Sequence, residues 1–139
     1  MNRTQKIGFL SAAAITLSLL IATAPAFAHH AFAAEYDAKS PVTLTGIVTK
    51  VLWTNPHAHF FVSVKDEGGA TTLWDFELGS PNGLMRRGWN RNSLKPGDTI
   101  TVMGYPAKDH SKLASARSVT LADGRKIFAG TPDDGGPTQ

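Results

Sequence analysis

Residues 71–89 read TTLWDFELGSPNGLMRRGW, and two periodicities meet inside them. Up to Leu78 the apolar residues recur at every second place. Thr72, Trp74, Phe76 and Leu78 therefore share one face of a strand, and Leu73, Asp75 and Glu77 share the other. The face with two aromatics is the core face, which sends Asp75 and Glu77 to solvent. At Ser80-Pro81 the period changes, because Ser at an N-cap and Pro in a first turn open a helix. Leu84, Met85 and Trp89, at three-to-four spacing, form its apolar side, with Arg86, Arg87 and Arg91 pointing outward. Gly83 and Gly88 keep it short.

Working outward, VTLTGIVTKVLW from Val42 to Trp53 is rich in β-branched residues. Its inward phase runs through Val42 and Leu44, then Ile47, Val51 and Trp53, with Gly46 marking a bulge or bend between the two phases. Thr54-Asn55-Pro56 is a turn, and His59 to Lys65 (HFFVSVK) is a second strand ended by the loop Asp66-Glu67-Gly68-Gly69. Beyond the helix, LKPGD (94–98) turns into a strand from Thr99 to Tyr105. There Ile100, Val102 and Gly104 alternate with Thr99, Thr101 and Met103. A fifth strand covers Ala114 to Leu121, and Asp123-Gly124 turns into a short arm from Arg125 to Phe128. Three strands, a short helix and two strands follow the order of the OB-fold, a five-stranded Greek-key barrel. The same strands would also suit another small barrel or a sandwich, and the helix between the third and fourth decides the matter. The chain is thus expected to be mainly β, with an OB-like barrel over 42–129.

Its 139 residues make room for one domain of ordinary size. The absence of Cys excludes disulfides, thiolate zinc sites, iron–sulfur clusters and thiol nucleophiles together. The first 28 residues carry Arg3 and Lys6, then an apolar run from Ile7 through Ala24, then Ala26-Phe27-Ala28. Basic start, apolar stretch and small-x-small ending make a secretory signal peptide, residues 1–28, cleaved after Ala28. An uncleaved anchor is the rival, since the run approaches the ~18 residues of a spanning helix, but Pro25 and the Ala-Phe-Ala ending favour removal. The expected location is periplasmic or secreted, with no stable membrane span left after cleavage. Removing Arg3 and Lys6 from the 14 Lys+Arg leaves 12 against 11 Asp+Glu, so the net charge falls from +3 to +1. That balance offers no basic face for nucleic acid, and none is expected as a partner. Residues 29–41 form a leader, and the Gly-, Pro- and Asp-rich stretch 130–139 reads as a disordered tail.

The segments HHAFAAEYD, SPVTLTG, VLWTNPH, WDFELGSPNGLMRRGW, SLKPGD and ARSVTLADGRKIFAG together resemble a family of small exported bacterial proteins of unknown function. The resemblance spans nearly all of Ala28 to Gly130 and implies an exported β-rich domain without implying a chemistry.

Histidines carry the most chemical information. Cleavage after Ala28 would expose a terminus of His29-His30, whose α-amine and imidazole suit Cu(II), a cation that favours tetragonal nitrogen sets. The amino-terminal copper motif that needs His at the third mature position is excluded by Ala31. His57 and His59, two places apart in extended chain, face the same way and would supply further imidazoles. The metal-ligand set is therefore His29, His30, His57 and His59. Against it stands a plainer reading, in which His57 caps a turn and His59 sits hydrogen-bonded at a barrel rim. Asp75 and Glu77 share a face as catalytic carboxylates do, but no partner is visible and a solvated face is the commoner outcome. Arg86, Arg87 and Arg91 read as a polar helix face rather than an anion site. Trp53, Trp74, Trp89, Phe60, Phe61 and Phe76 read as core. No G-x-S-x-G elbow supports a serine triad.

These readings converge on an exported OB-like binding protein, not an enzyme, that handles copper through terminal and strand histidines. Its partner would be a small ligand or an envelope protein. Two alternatives differ in kind: a metal-free structural or interaction module of the envelope, and a copper-dependent oxidative enzyme built on the His29 terminus.

Overall fold

The computed structural model describes residues 31–130. The stretch 1–28 read as a signal peptide, the pair His29-His30 and the stretch 131–139 lie outside the described residues. Among the described residues six strands form: β1 (Val42–Leu52), β2 (His59–Lys65), β3 (Thr71–Glu77), β4 (Thr99–Pro106), β5 (Leu113–Leu121) and β6 (Lys126–Phe128). One short helix, Pro81–Met85, separates β3 from β4. β1 pairs antiparallel with both β2 and β4, β2 with β3, and β4 with β5. A parallel pairing of β3 with β5, Asp75 to Leu113 through Glu77 to Ser115, closes the sheet on itself. The cyclic order β1-β2-β3-β5-β4 is that of the OB-fold, as the strand–helix order anticipated. β6 takes the remaining edge of β5, from Ser118 to Thr120.

The barrel is filled by the alternation that the sequence displays. Phe60, Val62 and Phe76 are wholly buried, as are Val102, Ala114 and Val119. Phe60 and Phe76 stack with ring centroids 5.3 Å apart, and Trp74 stacks on Phe76 at 6.1 Å while packing on the core from a half-buried position. The helix and the turns after it pack on this core through buried Leu84 and Trp89. Its start is as expected: the Ser80 hydroxyl accepts the Gly83 N–H at 3.2 Å and Pro81 fills the first turn, where no N–H is required. Met85, expected on the apolar side, is exposed, because the helix ends there and the chain reaches Trp89 through turns. Trp89 is fixed by its indole N–H donating to the Phe128 carbonyl at 2.9 Å.

Two readings of β1 and β2 are corrected. The phase of β1 does not change at Gly46, since Val48 is buried and Ile47 is 51% exposed. The irregularity lies between Val48 and Lys50, where the register against β2 shifts. Gly46 serves close approach instead, because a Cβ there would stand 2.7 Å from Val62 Cγ1. Phe61, read as core, lies half-buried on the outer face beside Lys50, whose ammonium sits 5.7 Å from the ring centroid.

Residues before β1 are part of the fold. Residues 31–35 are helical, and Phe32 and Tyr36 are buried against the barrel with Ala107, Tyr105 and Leu113. Tyr36 makes a strand bridge to Ala107, Asp37 N–H donates to the Pro106 carbonyl, and Lys108 N–H donates to the Glu35 carbonyl. The guanidinium of buried Arg117 lies 5.0 Å from the Phe32 ring and 5.6 Å from the Tyr105 ring, so its charge faces aromatic π-surfaces. At the other end of the described chain, Gly130 is buried next to Ala129, whose N–H donates to the Arg117 carbonyl.

Candidate functional site

The outer face of β2 and β3 carries the chemistry. Ala58 is buried and extends the β2–β3 ladder beyond His59: its N–H donates to Gly79 and its carbonyl accepts from Leu78. With Ala58 pointing inward, alternation sends both His57 and His59 outward. His59 stands opposite Glu77, and Phe61 stands opposite Asp75. The two imidazoles thus meet the two carboxylates on one patch. His57 Nδ1 lies 2.6 Å from Glu77 Oε1, and His59 Nδ1 lies 2.9 Å from Asp75 Oδ1.

Asp75 and Glu77 are therefore not a solvated pair. Their side chains are only 32% and 19% exposed, and each is held by a histidine. Glu77 has a second partner in the Tyr36 hydroxyl, which donates to Oε2 at 2.8 Å. Burial, the Glu77 charge and this hydrogen bond push the Tyr36 phenol far above its ordinary range, so it remains a donor at any physiological pH. Both Glu77 oxygens are used, one by a tyrosine and one by a histidine. Nothing local to β3 announces this tyrosine, since it comes from 41 residues away.

Tying Nδ1 to a carboxylate fixes the ring and its tautomer, and presents Nε2, at the opposite edge, as the ligating nitrogen. Such carboxylate–imidazole pairs orient metal-binding histidines in many proteins, and the same arrangement serves proton transfer. Among the described residues no three His, Cys, Asp or Glu side chains are grouped to hold a metal ion. The patch offers two imidazoles, so a complete coordination set would need further donors.

Other candidates are placed plainly. Arg86, Arg87 and Arg91, expected on an outer helix face, are exposed but follow the end of the helix at Met85, in its cap and the turns beyond, and Arg87 lies 4.7 Å over the Phe128 ring. An open depression of about 340 Å³ lies between the start of β4 and the β5–β6 turn. Of its lining groups, Asp98 accepts the backbone N–H of Lys95 and Asp123 pairs with Arg125 at 2.7 Å. Among the described residues no helix is long and apolar enough to cross a membrane.

The histidine–carboxylate pairs thus lie on the outer face of β2 and β3 in a closed OB barrel. The chain belongs to a family of unknown function, DUF6152, whose family model matches residues 16–116. No curated protein matches it.

Proposed function

We propose that this protein is an exported, periplasmic OB-fold binding module whose ligand is a copper ion held at the β2–β3 face. The observation that carries the reading is the pair of imidazoles flanking inward-facing Ala58, each with Nδ1 on a carboxylate and Nε2 left for a ligand. Imidazole nitrogens suit Cu(II), which heads the divalent affinity order. Cleavage after Ala28 would add the amine and imidazole of His29 and the imidazole of His30, which precede the segment docked through Tyr36 to Glu77. In this reading His57 and His59 anchor the ion, Asp75 and Glu77 orient the rings, and His29 with His30 complete the set. It is a binding role, without catalysis.

The test is a Cu(II) titration of protein beginning at His29, compared with a form carrying one extra residue before His29 and with His57→Ala/His59→Ala. The expected result is one equivalent of Cu(II), weakened by either change and weakening as pH falls through the imidazole range near ~6.5, because protonated rings do not ligate. Equal binding to the extended form would remove the amine from the site. Binding no tighter than to a scrambled His-containing peptide would sink the copper reading.

A second reading, a metal-free envelope interaction module, is favoured by one observation. Ile47 and Leu73 are 51% and 55% exposed and flank Ser63 from either side, so two exposed apolar side chains stand on one outer face with a serine between them. Metal-independent association lost in Ile47→Thr/Leu73→Thr would favour it.

A further inference from the structure

We propose that the loop after the helix is a docking surface for an anionic phospholipid membrane, held by Arg86 and Arg91 with Arg87 and Met85 beside them. From Leu78 to Gly97 the chain carries Arg86, Arg87, Arg91 and Lys95 and not one Asp or Glu, so all 11 acidic residues lie elsewhere in the sequence. Expected as the outer face of a helix, the three arginines stand instead on a stretch pinned at every fifth residue. Leu84, Trp89 and Leu94 are buried in the main core, and the residues between them, Met85 to Gly88 and Asn90 to Asn92, are exposed. Each exposed span is closed by its own turn: Gly88 N–H donates to the Met85 carbonyl, and Ser93 N–H donates to the Asn90 carbonyl. Gly88 turns the chain at a φ of 89°, and the Ser93 hydroxyl accepts the Asn90 N–H at 2.9 Å. A loop tied down in this way has little left to order, so docking costs little conformational entropy.

The charges on this loop are available to a partner. Among the described residues no carboxylate pairs with Arg86, Arg87 or Arg91, whereas Arg125 is taken by Asp123, and Asp75 and Glu77 by imidazoles. Asp98 and Asp123 share the depression lined by Asn92, Ser93 and Lys95, which keeps Lys95 out of the set. Arg87 rests over the Phe128 ring, so Arg86 and Arg91 are the two that can leave the protein surface most readily. Met85, 51% exposed, adds an apolar side chain directly before Arg86. Guanidinium forks match the phosphates of a headgroup layer, and the acyl boundary beneath it takes an apolar side chain. The methionine thereby favours a lipid surface over an acidic polypeptide. None of these residues belongs to the histidine face, so the proposal stands apart from the copper reading.

The experiment measures partition onto sedimented vesicles of protein beginning at His29, which keeps every described residue and leaves out the apolar run from Ile7 through Ala24. Vesicles of phosphatidylcholine with about one-third phosphatidylglycerol should bind it, and pure phosphatidylcholine should not. A cation at an anionic surface contributes about fivefold, so Arg86→Gln/Arg91→Gln should lower the partition coefficient about 25-fold. Arg86→Lys/Arg91→Lys should stay within about threefold of wild type, because a headgroup layer reads charge rather than a fork of fixed geometry. Met85→Ser should cost about threefold, the share of the apolar side chain. Binding should weaken as salt is raised and the Debye length shortens. His57→Ala/His59→Ala should partition as the wild type does, and the thermal unfolding of the arginine variants should match it, since both side chains are exposed. Equal sedimentation with both vesicle types, an affinity that Arg86→Gln/Arg91→Gln or Met85→Ser leaves intact, or a lysine pair as weak as the glutamine pair overturns the membrane surface. Each of these results leaves the copper titration unaffected.

Discussion

The two faces of β3 are built on different principles. Inward, Phe76 stacks between Phe60 and Trp74, and its neighbours are whatever apolar surface the barrel brings. Outward, Asp75 and Glu77 are held by particular atoms of His59, His57 and Tyr36. Burial of apolar surface is non-directional and tolerates exchange of partners, whereas a half-buried carboxylate needs donors at defined positions. One strand therefore carries a stability element on one side and a chemical one on the other.

Several substitutions would break or sharpen that contrast. Phe76→Ala should show the largest effect, ~3–5 kcal/mol of unfolding free energy by chemical denaturation, since a wholly buried aromatic leaves a cavity. A loss near that of a surface residue would show that the inner face is not the core. Glu77→Ala should follow at about 1–2 kcal/mol, because two donors lose their acceptor in a partly screened setting. An effect within measurement error would return Glu77 to the solvated face expected from alternation alone. A smaller, pH-dependent effect belongs to Tyr36. Its phenol is raised in the folded protein, so its contribution is complete below the unfolded value of ~10 and is lost as pH rises above that toward the folded value. The stability difference between wild type and Tyr36→Phe should accordingly be flat from pH 7 to about 9 and shrink beyond ~10. Leu73→Thr, on the exposed outer face, should change stability by no more than about 0.5 kcal/mol.

The contrast also decides what could be read from the sequence. The register of β3 and β4, the Ser80-Pro81 helix start and the OB order are all short-range patterns, and the structure follows them. Gly46 misled because a glycine in a strand marks either a bulge or a close approach. Here the close approach of the Ser63 carbonyl and the Val62 side chain is its role, and the bulge lies further on. Alternation showed that Asp75 and Glu77 share a face but carried no information about what stands against that face. The spacing of His57 and His59 placed them together correctly, while their carboxylates became visible only with the β2–β3 register. Residues 31–36 have no periodicity, so nothing in their sequence shows that Phe32 and Tyr36 pack on β4 and β5.

The parallel closure of β3 on β5 also bears on the order in which the molecule is assembled. Both histidine–carboxylate pairs lie within the β2–β3 hairpin and its preceding loop, a local unit whose ends meet at little entropic cost. The platform for Phe32 and Tyr36, by contrast, is made of Tyr105, Ala107 and Leu113, late in the chain. During synthesis from the N-terminus, residues 31–36 emerge before the barrel, yet their docking surface is complete only after β5 has been made. The first described segment to be synthesised is thus among the last to settle, and its hydroxyl reaches Glu77 only in a chain whose barrel has closed.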